Sequence, residues 1–222
     1  MSDGNETGDR AGFLARIASR QGPAPRGGPH PPPAAPEIVP HVRVRALDGI
    51  GPYDTDALVE VFRAEAQRVD SVVHLGSPDL ALAEVVDAHG VTTAVVSAEP
   101  AVQALVPALE RLGVVVGPPE RDAAAAADLG VTGAIGAIAA TGSVVVDADV
   151  VGGRTTSLLP RVHLCVVHRS DLVADTADLF RRPSRPLPAH RVVVTGPSRT
   201  GDIEQILTLG AHGPVALHVL VT

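Results

Sequence analysis

The residue types best suited to bind an anion occur together near the C-terminal end of this chain, in the sequence GPSRTGDIE. The apolar run Val192–Thr195 predicts a buried strand. It leads directly into Gly196, Pro197, Ser198, Arg199 and Thr200. Hydroxyls, a guanidinium and the amides of a glycine-containing loop are groups that hold a carboxylate or a phosphate. A helix beginning near Asp202 would add its N-terminal dipole at the carboxyl end of the strand. The same residues also fit a plain capped helix start with Arg199 in solvent.

Three other loops contain polar residues of the same kinds. The sequences AATGS at Ala139–Ser143 and GGRTTSLLPRVH at Gly152–His163 supply hydroxyls and arginine. The loop GAHGP at Gly210–Pro214 contains a histidine, the side chain best suited to proton transfer near neutral pH. Taken singly, each stretch also fits an ordinary tight turn or a solvated loop. The candidate ligand-binding residues are Thr141, Gly142, Ser143, Arg154, Ser157, Gly196, Pro197, Ser198, Arg199 and Thr200, and the candidate catalytic residues are His212, Asp202 and Glu204.

Several other chemistries are excluded by residues that the chain lacks. All 18 basic residues are arginine, so a Schiff-base lysine, a Walker-type phosphate loop and a catalytic lysine are excluded. The one cysteine, Cys165, excludes a disulfide framework and an iron–sulfur cluster held by this chain alone, and its apolar neighbours predict an inert buried side chain. The nine histidines show no metal-ligand spacing, and no metal site is predicted. There is no G-x-G-x-x-G fingerprint, and G-P-S-R-T lacks the second glycine of a nucleophile elbow. The sequence therefore argues against a hydrolase.

The charge is distributed unevenly along the chain. The formal net charge of −7 argues against a protein built to bind nucleic acid. Residues 46–149 contain 16 acidic residues and 4 arginines, whereas residues 150–222 contain 8 arginines and 5 acidic residues. An anionic ligand is therefore expected in the C-terminal third. A solvated acidic face opposite a solvated basic face fits the charge pattern equally well.

The first 45 residues are predicted to be an arm rather than part of the globular domain. A helix at residues 9–20 would place Phe13, Leu14 and Ile17 on one face, and a Pro/Gly-rich linker at residues 21–37 follows it. The arm is equally suited to docking on a partner protein and to wrapping a second copy of the chain. No apolar run approaches the ~20 residues of a membrane span, and the polar N-terminus does not resemble a signal peptide, so a cytoplasmic location is expected.

Residues 46–222 are predicted to form a single α/β domain. Short apolar strands alternate with helices, which indicates βαβ crossovers and a mainly parallel sheet with helices on both faces. Strands are predicted at Val72–Leu75, Thr92–Ser97, Val114–Val116, Val131–Ile138, Ser143–Asp147, Val162–His168, Val192–Thr195 and Val215–Val221. Helices are predicted at Thr55–Val69, Pro78–Gly90, Pro100–Leu112, Glu120–Leu129 and Ser170–Phe180.

Five stretches in this order resemble the LutC/YkgG lactate-utilisation family, whose members contain a LUD domain. They are FLARIASR at Phe13–Arg20, DLGVTGAIGAIAATGSVVV at Asp128–Val146, SLLPRVHLCVV at Ser157–Val167, GPSRTGDIE at Gly196–Glu204 and GAHGP at Gly210–Pro214. The family usually has an acidic residue before the Thr-Gly pair, where this chain has Ala140. The resemblance implies a fold like that of the NagB/RpiA/CoA-transferase group, in which loops at strand ends hold phosphorylated or acyl-CoA-type ligands.

The resemblance also implies a role in oxidising L-lactate to pyruvate. The first hypothesis is a non-redox subunit that binds no cofactor itself and works with iron–sulfur partner proteins. One anion pocket would then be lined by Gly196–Thr200, Thr141–Ser143 and Arg154–Ser157. In this pocket Arg199 would pair with a carboxylate of the ligand. The second hypothesis is a stand-alone transferase, isomerase or ligase acting on a phosphorylated or CoA-linked metabolite. A scaffold with a vestigial pocket is the third.

Overall fold

The computed structural model describes residues 47, 54–149, 154–181, 188–200 and 208–222, and these alternate between helices and strands as predicted. The helices are α1 (Thr55–Arg68), α2 (Pro78–His89), α3 (Pro100–Gln103), α4 (Val106–Arg111), α5 (Arg121–Ala126), α6 (Thr155–Leu158) and α7 (Thr176–Arg181). The strands are β1 (Ser71–Leu75), β2 (Thr93–Val96), β3 (Val115–Gly117), β4 (Leu129–Gly133), β5 (Gly136–Ile138), β6 (Ser143–Asp147), β7 (Val162–Val167), β8 (Leu172–Val173), β9 (Arg191–Val194), β10 (Arg199–Thr200), β11 (Thr208–Leu209) and β12 (Ala216–Val221).

Six of these strands form the main sheet, in the order β1-β12-β7-β4-β2-β3. Every neighbouring pair in it is parallel, which confirms the predicted α/β architecture. Successive residues of β7 alternate between two apolar layers, since Leu164 packs with α2 and α4 whereas Cys165 packs with α1 and the small sheet described below. Because both faces are covered, the strands are mostly apolar rather than alternately polar.

The two long helices begin and end where their terminal residues predict. The carboxylate of Asp54 accepts a hydrogen bond from the backbone N–H of Ala57 over 3.1 Å, which caps α1. Helix α2 starts at Pro78 and ends at Gly90, whose φ of 59° is the left-handed conformation that glycine adopts without strain. The buried residues of α1 recur at helical spacing: Leu58, Val59, Phe62 and Ala66.

The helix predicted over Pro100–Leu112 is instead two short helices, α3 and α4. Ala104 and Leu105 separate them, and Pro107 lies in the first turn of α4. Proline has no N–H to donate and its ring displaces the carbonyl of the preceding turn, so a continuous helix through this residue is disfavoured. The apolar periodicity alone did not show this break.

A second sheet was not expected from the sequence. Strands β8, β5, β6 and β9 form it in that order, with β6 antiparallel to both β5 and β9. The prediction of one strand over Val131–Ile138 was wrong, because the chain leaves the main sheet after Gly133 and enters this small sheet at Gly136. The prediction of a buried strand at Val192–Thr195 was also wrong. Strand β9 is the edge of the small sheet, and Val193 is 44% exposed.

The helix predicted at Ser170–Phe180 is replaced by three shorter elements. A 3-10 turn at Arg169–Asp171 leads into β8, which pairs with β5. The carboxylate of Asp175 then accepts a hydrogen bond from the N–H of Asp178 over 2.9 Å and starts α7. The predicted arm at residues 1–45 and the helix near Asp202 lie outside the described residues and stay predictions. Within the described part of the chain, no helix is both long enough and apolar enough to cross a membrane.

Candidate functional site

One cavity of about 550 Å³ is lined mainly by two of the loops singled out in the sequence, the loop after β9 and the His212 loop, and a third loop contributes Ser157. Val69 and Pro214, which line it, lie just before β1 and β12, so the cavity is at the amino ends of the parallel strands. This location corrects the expectation of a site at the carboxyl ends of the main sheet. The loop after β9 does follow a strand's carboxyl end, but β9 belongs to the small sheet. Among the predicted site residues, those lining the cavity are Ser157, Gly196, Pro197, Ser198, Arg199 and His212.

Ser198 holds the two loops together. Its backbone N–H donates to the carbonyl of Pro214 over 2.9 Å, and its carbonyl accepts from the N–H of Gly210 over 2.9 Å. Its hydroxyl oxygen accepts a further bond from the backbone N–H of His212 over 3.2 Å. The hydroxyl proton therefore remains free for a ligand, and the His212 side chain is exposed beside it.

Gly196 brings this loop against the end of α1. Its φ is 76°, and a Cβ at this position would overlap the carbonyl oxygen of Val69. Only glycine permits both the left-handed backbone and this close approach. As a result, Arg68 and Val69 become part of the cavity wall, a contribution that the loop motifs did not indicate.

Thr141 and Ser143 lie behind the wall rather than in it. The hydroxyl oxygens of Thr141 and Ser143 are 2.7 Å apart, and Ser143 Oγ is 2.7 Å from Oγ1 of Thr195, which does line the cavity. Three alcohols thus form one hydrogen-bonded chain that ends at the cavity. Ser143 is 1% exposed, so its role is to orient Thr195 rather than to meet a ligand.

The remaining candidates are not in the cavity lining. Gly142 packs on the backbone of Ala66 in α1, so its lack of a side chain serves packing. Arg154 is exposed, and its carbonyl accepts a hydrogen bond from the hydroxyl of Ser157 over 3.1 Å. Thr200 lies in β10, which pairs with β11. Asp202 and Glu204 lie outside the described residues.

Both arginines of the cavity already have carboxylate partners within the chain. The guanidinium of Arg199 forms an ion pair with Asp70, and Nε of Arg68 lies 3.7 Å from Oε1 of Glu65. Asp70 has a φ of 58° and is the one non-glycine residue with positive φ in the described part of the chain. It is the residue after the C-cap of α1, where a left-handed conformation commonly ends a helix and Asp tolerates it.

The buried nucleophile of the chain lies elsewhere. Cys165 is 0% exposed, and burial raises the pKa of its thiol to about 12, as expected of an inert packing residue. Burial likewise lowers the pKa of His163 to about 4, and its Nε2 lies 2.8 Å from the hydroxyl of Thr132. Neither side chain lines the cavity, so the groups left for chemistry there are hydroxyls, guanidinium groups and one imidazole.

A known family model matches this part of the chain. The LUD domain model matches residues 54–222, which is most of the chain and includes every described residue that lines the cavity. The chain therefore belongs to the LUD domain family.

Several similar proteins are named lactate utilization protein C. Lactate utilization protein C of Anoxybacillus flavithermus is 30% identical over 184 residues, a stretch that covers 77% of this chain and 83% of that protein. Lactate utilization protein C 1 of Bacillus mycoides is 39% identical over 98 residues, covering 41% of this chain. The match spans 42% of the Bacillus mycoides protein and 44% of the similar protein from Macrococcus caseolyticus, so it covers less than half of either.

The fold also occurs in a solved structure. The crystal structure of a DUF162 family protein from Deinococcus radiodurans superposes with a TM-score of 0.54 and is 24% identical in sequence. The superposition covers 77% of this chain and 99% of that one. At this identity the likeness supports the fold and says nothing of the ligand.

Proposed function

We propose that this protein acts in lactate utilisation by binding a small carboxylate, such as L-lactate or pyruvate, in the cavity between the loop after β9 and the His212 loop. The observation that carries the proposal is the convergence of Ser198, Arg199 and His212, which belong to two different loops, on one cavity. The guanidinium would pair with the carboxylate of the ligand, since its planar fork matches two carboxylate oxygens. The names of the relatives support lactate as the metabolite.

The roles of the other polar groups follow from their hydrogen bonds. The hydroxyl of Ser198 accepts from His212 N–H and can donate its own proton to a ligand oxygen. Thr195, oriented by Ser143 over 2.7 Å, offers a second hydroxyl. The exposed imidazole of His212 would take up or release a proton at a ligand hydroxyl. None of these side chains accepts electrons, so in this proposal the chain binds the carboxylate and the oxidation takes place on a partner protein.

The oxidising centres are therefore assigned to partner proteins. A single cysteine, buried and with a raised pKa, cannot hold an iron–sulfur cluster, which needs several thiolate ligands. In this proposal the chain is a non-redox subunit, and the clusters belong to iron–sulfur proteins bound to it. Purification of the tagged protein from lactate-grown cells should recover at least one iron–sulfur protein, and its absence under mild conditions would count against the subunit role.

Ligand binding can be tested on the purified chain alone. Thermal-shift and calorimetric titrations with L-lactate, D-lactate, pyruvate, inorganic phosphate and coenzyme A would show which of these binds. A ligand at about 100 times its Kd stabilises the folded state by about 2.7 kcal/mol, which is easily detected. Arg199→Ala should abolish the shift. Arg169→Ala is the matched control, because Arg169 pairs with Asp56 and does not line the cavity. No shift with any carboxylate would reject the proposal.

The size of the cavity favours a second candidate function. A volume of about 550 Å³ is large for a three-carbon acid and falls in the range of roughly 300–1,000 Å³ seen for larger metabolites. A stand-alone transferase, isomerase or ligase acting on a phosphorylated or CoA-linked metabolite would use this space. Stabilisation by phosphate or coenzyme A, with none by lactate or pyruvate, would support this candidate over the first.

A further inference from the structure

The ion pair between Arg199 and Asp70 joins two walls of the cavity. Arg199 belongs to the loop after β9, and Asp70 lies between α1 and β1, directly after Val69 in the other wall. The side chain of Asp70 is 68% exposed and that of Arg199 is 37% exposed. Solvent therefore reaches both partners. When a ligand pairs with the Arg199 guanidinium in place of Asp70, the Asp70 carboxylate can be hydrated by water.

Asp70 also provides a negative charge next to the place where an anion would bind. Among the described residues, the charged groups around this place are Arg199 with Asp70 and Arg68 with Glu65. Each guanidinium is thus balanced by a carboxylate of the chain. The described part of the cavity therefore offers an incoming anion almost no net positive charge, so the number of negative charges on the ligand matters.

We propose that Asp70 is a specificity-determining residue that makes the cavity select singly charged carboxylates over doubly charged anions. This inference rests on the proposed function, because it needs an anion bound at Arg199. In the structure the Asp70 carboxylate is paired with the Arg199 guanidinium. When a ligand displaces it, Asp70 stays within a few ångströms and repels the bound anion in proportion to the charge of that anion.

Coulomb's law sets the expected size of this repulsion. At a separation of about 6 Å in a dielectric close to that of water, each additional negative charge on the ligand weakens binding about threefold. Removing the Asp70 charge should therefore raise the affinity for a dianion about threefold more than the affinity for a monoanion. The affinity for both kinds of anion should also rise, because binding no longer requires the exposed ion pair between Arg199 and Asp70 to be broken.

Asp70→Asn is the variant that isolates the charge. Asparagine is nearly the same size as aspartate and tolerates the left-handed backbone, so the turn after α1 should keep its conformation. Asp70→Gly, which also suits this backbone, is the second variant in case the first folds poorly. Asp56→Asn is the matched control, because Asp56 pairs with Arg169 at the other end of α1 and does not line the cavity.

The measurement is calorimetric titration of each protein with L-lactate, L-malate and sulfate at pH 7.5 and low salt. L-malate keeps the 2-hydroxy acid group of lactate and adds one carboxylate, and sulfate is a small dianion. We expect the affinity for at least one dianion, relative to L-lactate, to rise about threefold in Asp70→Asn and to stay unchanged in Asp56→Asn. The difference should shrink in 0.5 M salt, because exposed charges are then screened.

The outcomes separate this inference from the proposed function. If wild type binds L-lactate and Asp70→Asn shows no relative gain for either dianion, Asp70 is a structural clamp and the inference is wrong, while the proposed function stands. If neither wild type nor Asp70→Asn binds L-lactate or pyruvate, the proposed function fails and the inference fails with it. If the dianions gain equally in Asp56→Asn, the effect comes from net charge and not from Asp70.

Discussion

Nε2 of His74 lies 3.0 Å from Nδ1 of His218, and both side chains are more than nine-tenths buried beneath helix α2. The pair is the centre of a longer chain, since Glu84 Oε2 is 3.1 Å from His74 Nδ1 and His89 Nε2 is 2.8 Å from His218 Nε2. With neutral rings and an ionised Glu84, one proton arrangement satisfies every bond. His89 donates to His218, His218 donates to His74, and His74 donates to the carboxylate.

This buried chain predicts that acid destabilises the protein. Burial, followed by the nearby His74 and His89, lowers the pKa of His218 to about 4 from 6.5, and burial lowers that of His163 to about 4. The unfolded state therefore binds more protons than the folded state between pH 6.5 and about 4, and stability is lost as the pH falls through that window. From pH 7 to pH 5, each histidine should cost about 2 kcal/mol of unfolding free energy.

The loss of unfolding free energy on acidification can be measured by denaturant unfolding of wild type and His218→Gln at pH 7 and pH 5. The variant should lose about half as much stability on acidification as wild type, because His163 still contributes. His168→Gln is the control, since His168 is exposed and bonds to Ser170. Identical pH dependence in wild type and His218→Gln would contradict the assignment.

A second prediction concerns Gly142, at the turn that leads into β6. Gly142 has a φ of 62°, and a Cβ there would overlap the backbone nitrogen and Cα of Ala66 in α1. Gly142→Ala should lower the unfolding free energy by about 3 kcal/mol, from the left-handed backbone and from overpacking together. In Gly90→Ala the φ is 59° but the space is open, so about 1 kcal/mol is expected. Chemical denaturation of both variants would measure the difference, and equal losses would show that the contact with α1 contributes nothing.

A third prediction concerns the ion pair between Arg191 and Asp147 on neighbouring strands β9 and β6. Two bonds of 2.7 and 2.8 Å join the guanidinium to a carboxylate that is 2% exposed, and these bonds hold the pKa of Arg191 above its usual value. Arg191→Ala would leave Asp147 buried without its partner and should cost about 3 kcal/mol in urea unfolding. Arg181→Ala breaks a more exposed pair with Asp178 and should cost less than about 1 kcal/mol. A small loss for Arg191→Ala would mean that solvent reaches Asp147.

The candidate site was only partly predictable from the sequence. Ser198, Arg199 and His212 were identified from residue type, because few side chains bind anions or move protons and these occur in glycine-containing loops. Asp70, Val69 and Arg68 were missed, since the end of a helix contains no motif for a cavity wall. The one available signal was an aspartate just after the predicted end of α1, a position that favours a left-handed backbone. Thr141 and Ser143 were identified as polar turn residues, but their place behind Thr195 depends on how β6 packs beside β9.

What the sequence determined by itself is the class of fold and the kinds of chemistry available. The alternation of short apolar strands with capped helices requires a covered parallel sheet, and a chain without lysine and with one cysteine is restricted to hydroxyls, imidazoles, carboxylates and guanidinium groups. Only the tertiary structure decided that β5, β6 and β9 leave the main sheet and that the cavity lies at the amino ends of the parallel strands. It also decided that Arg199 is paired with Asp70. The physical reason is that apolar periodicity is local, whereas the choice of strand partner and of ion-pair partner depends on residues far apart in the chain.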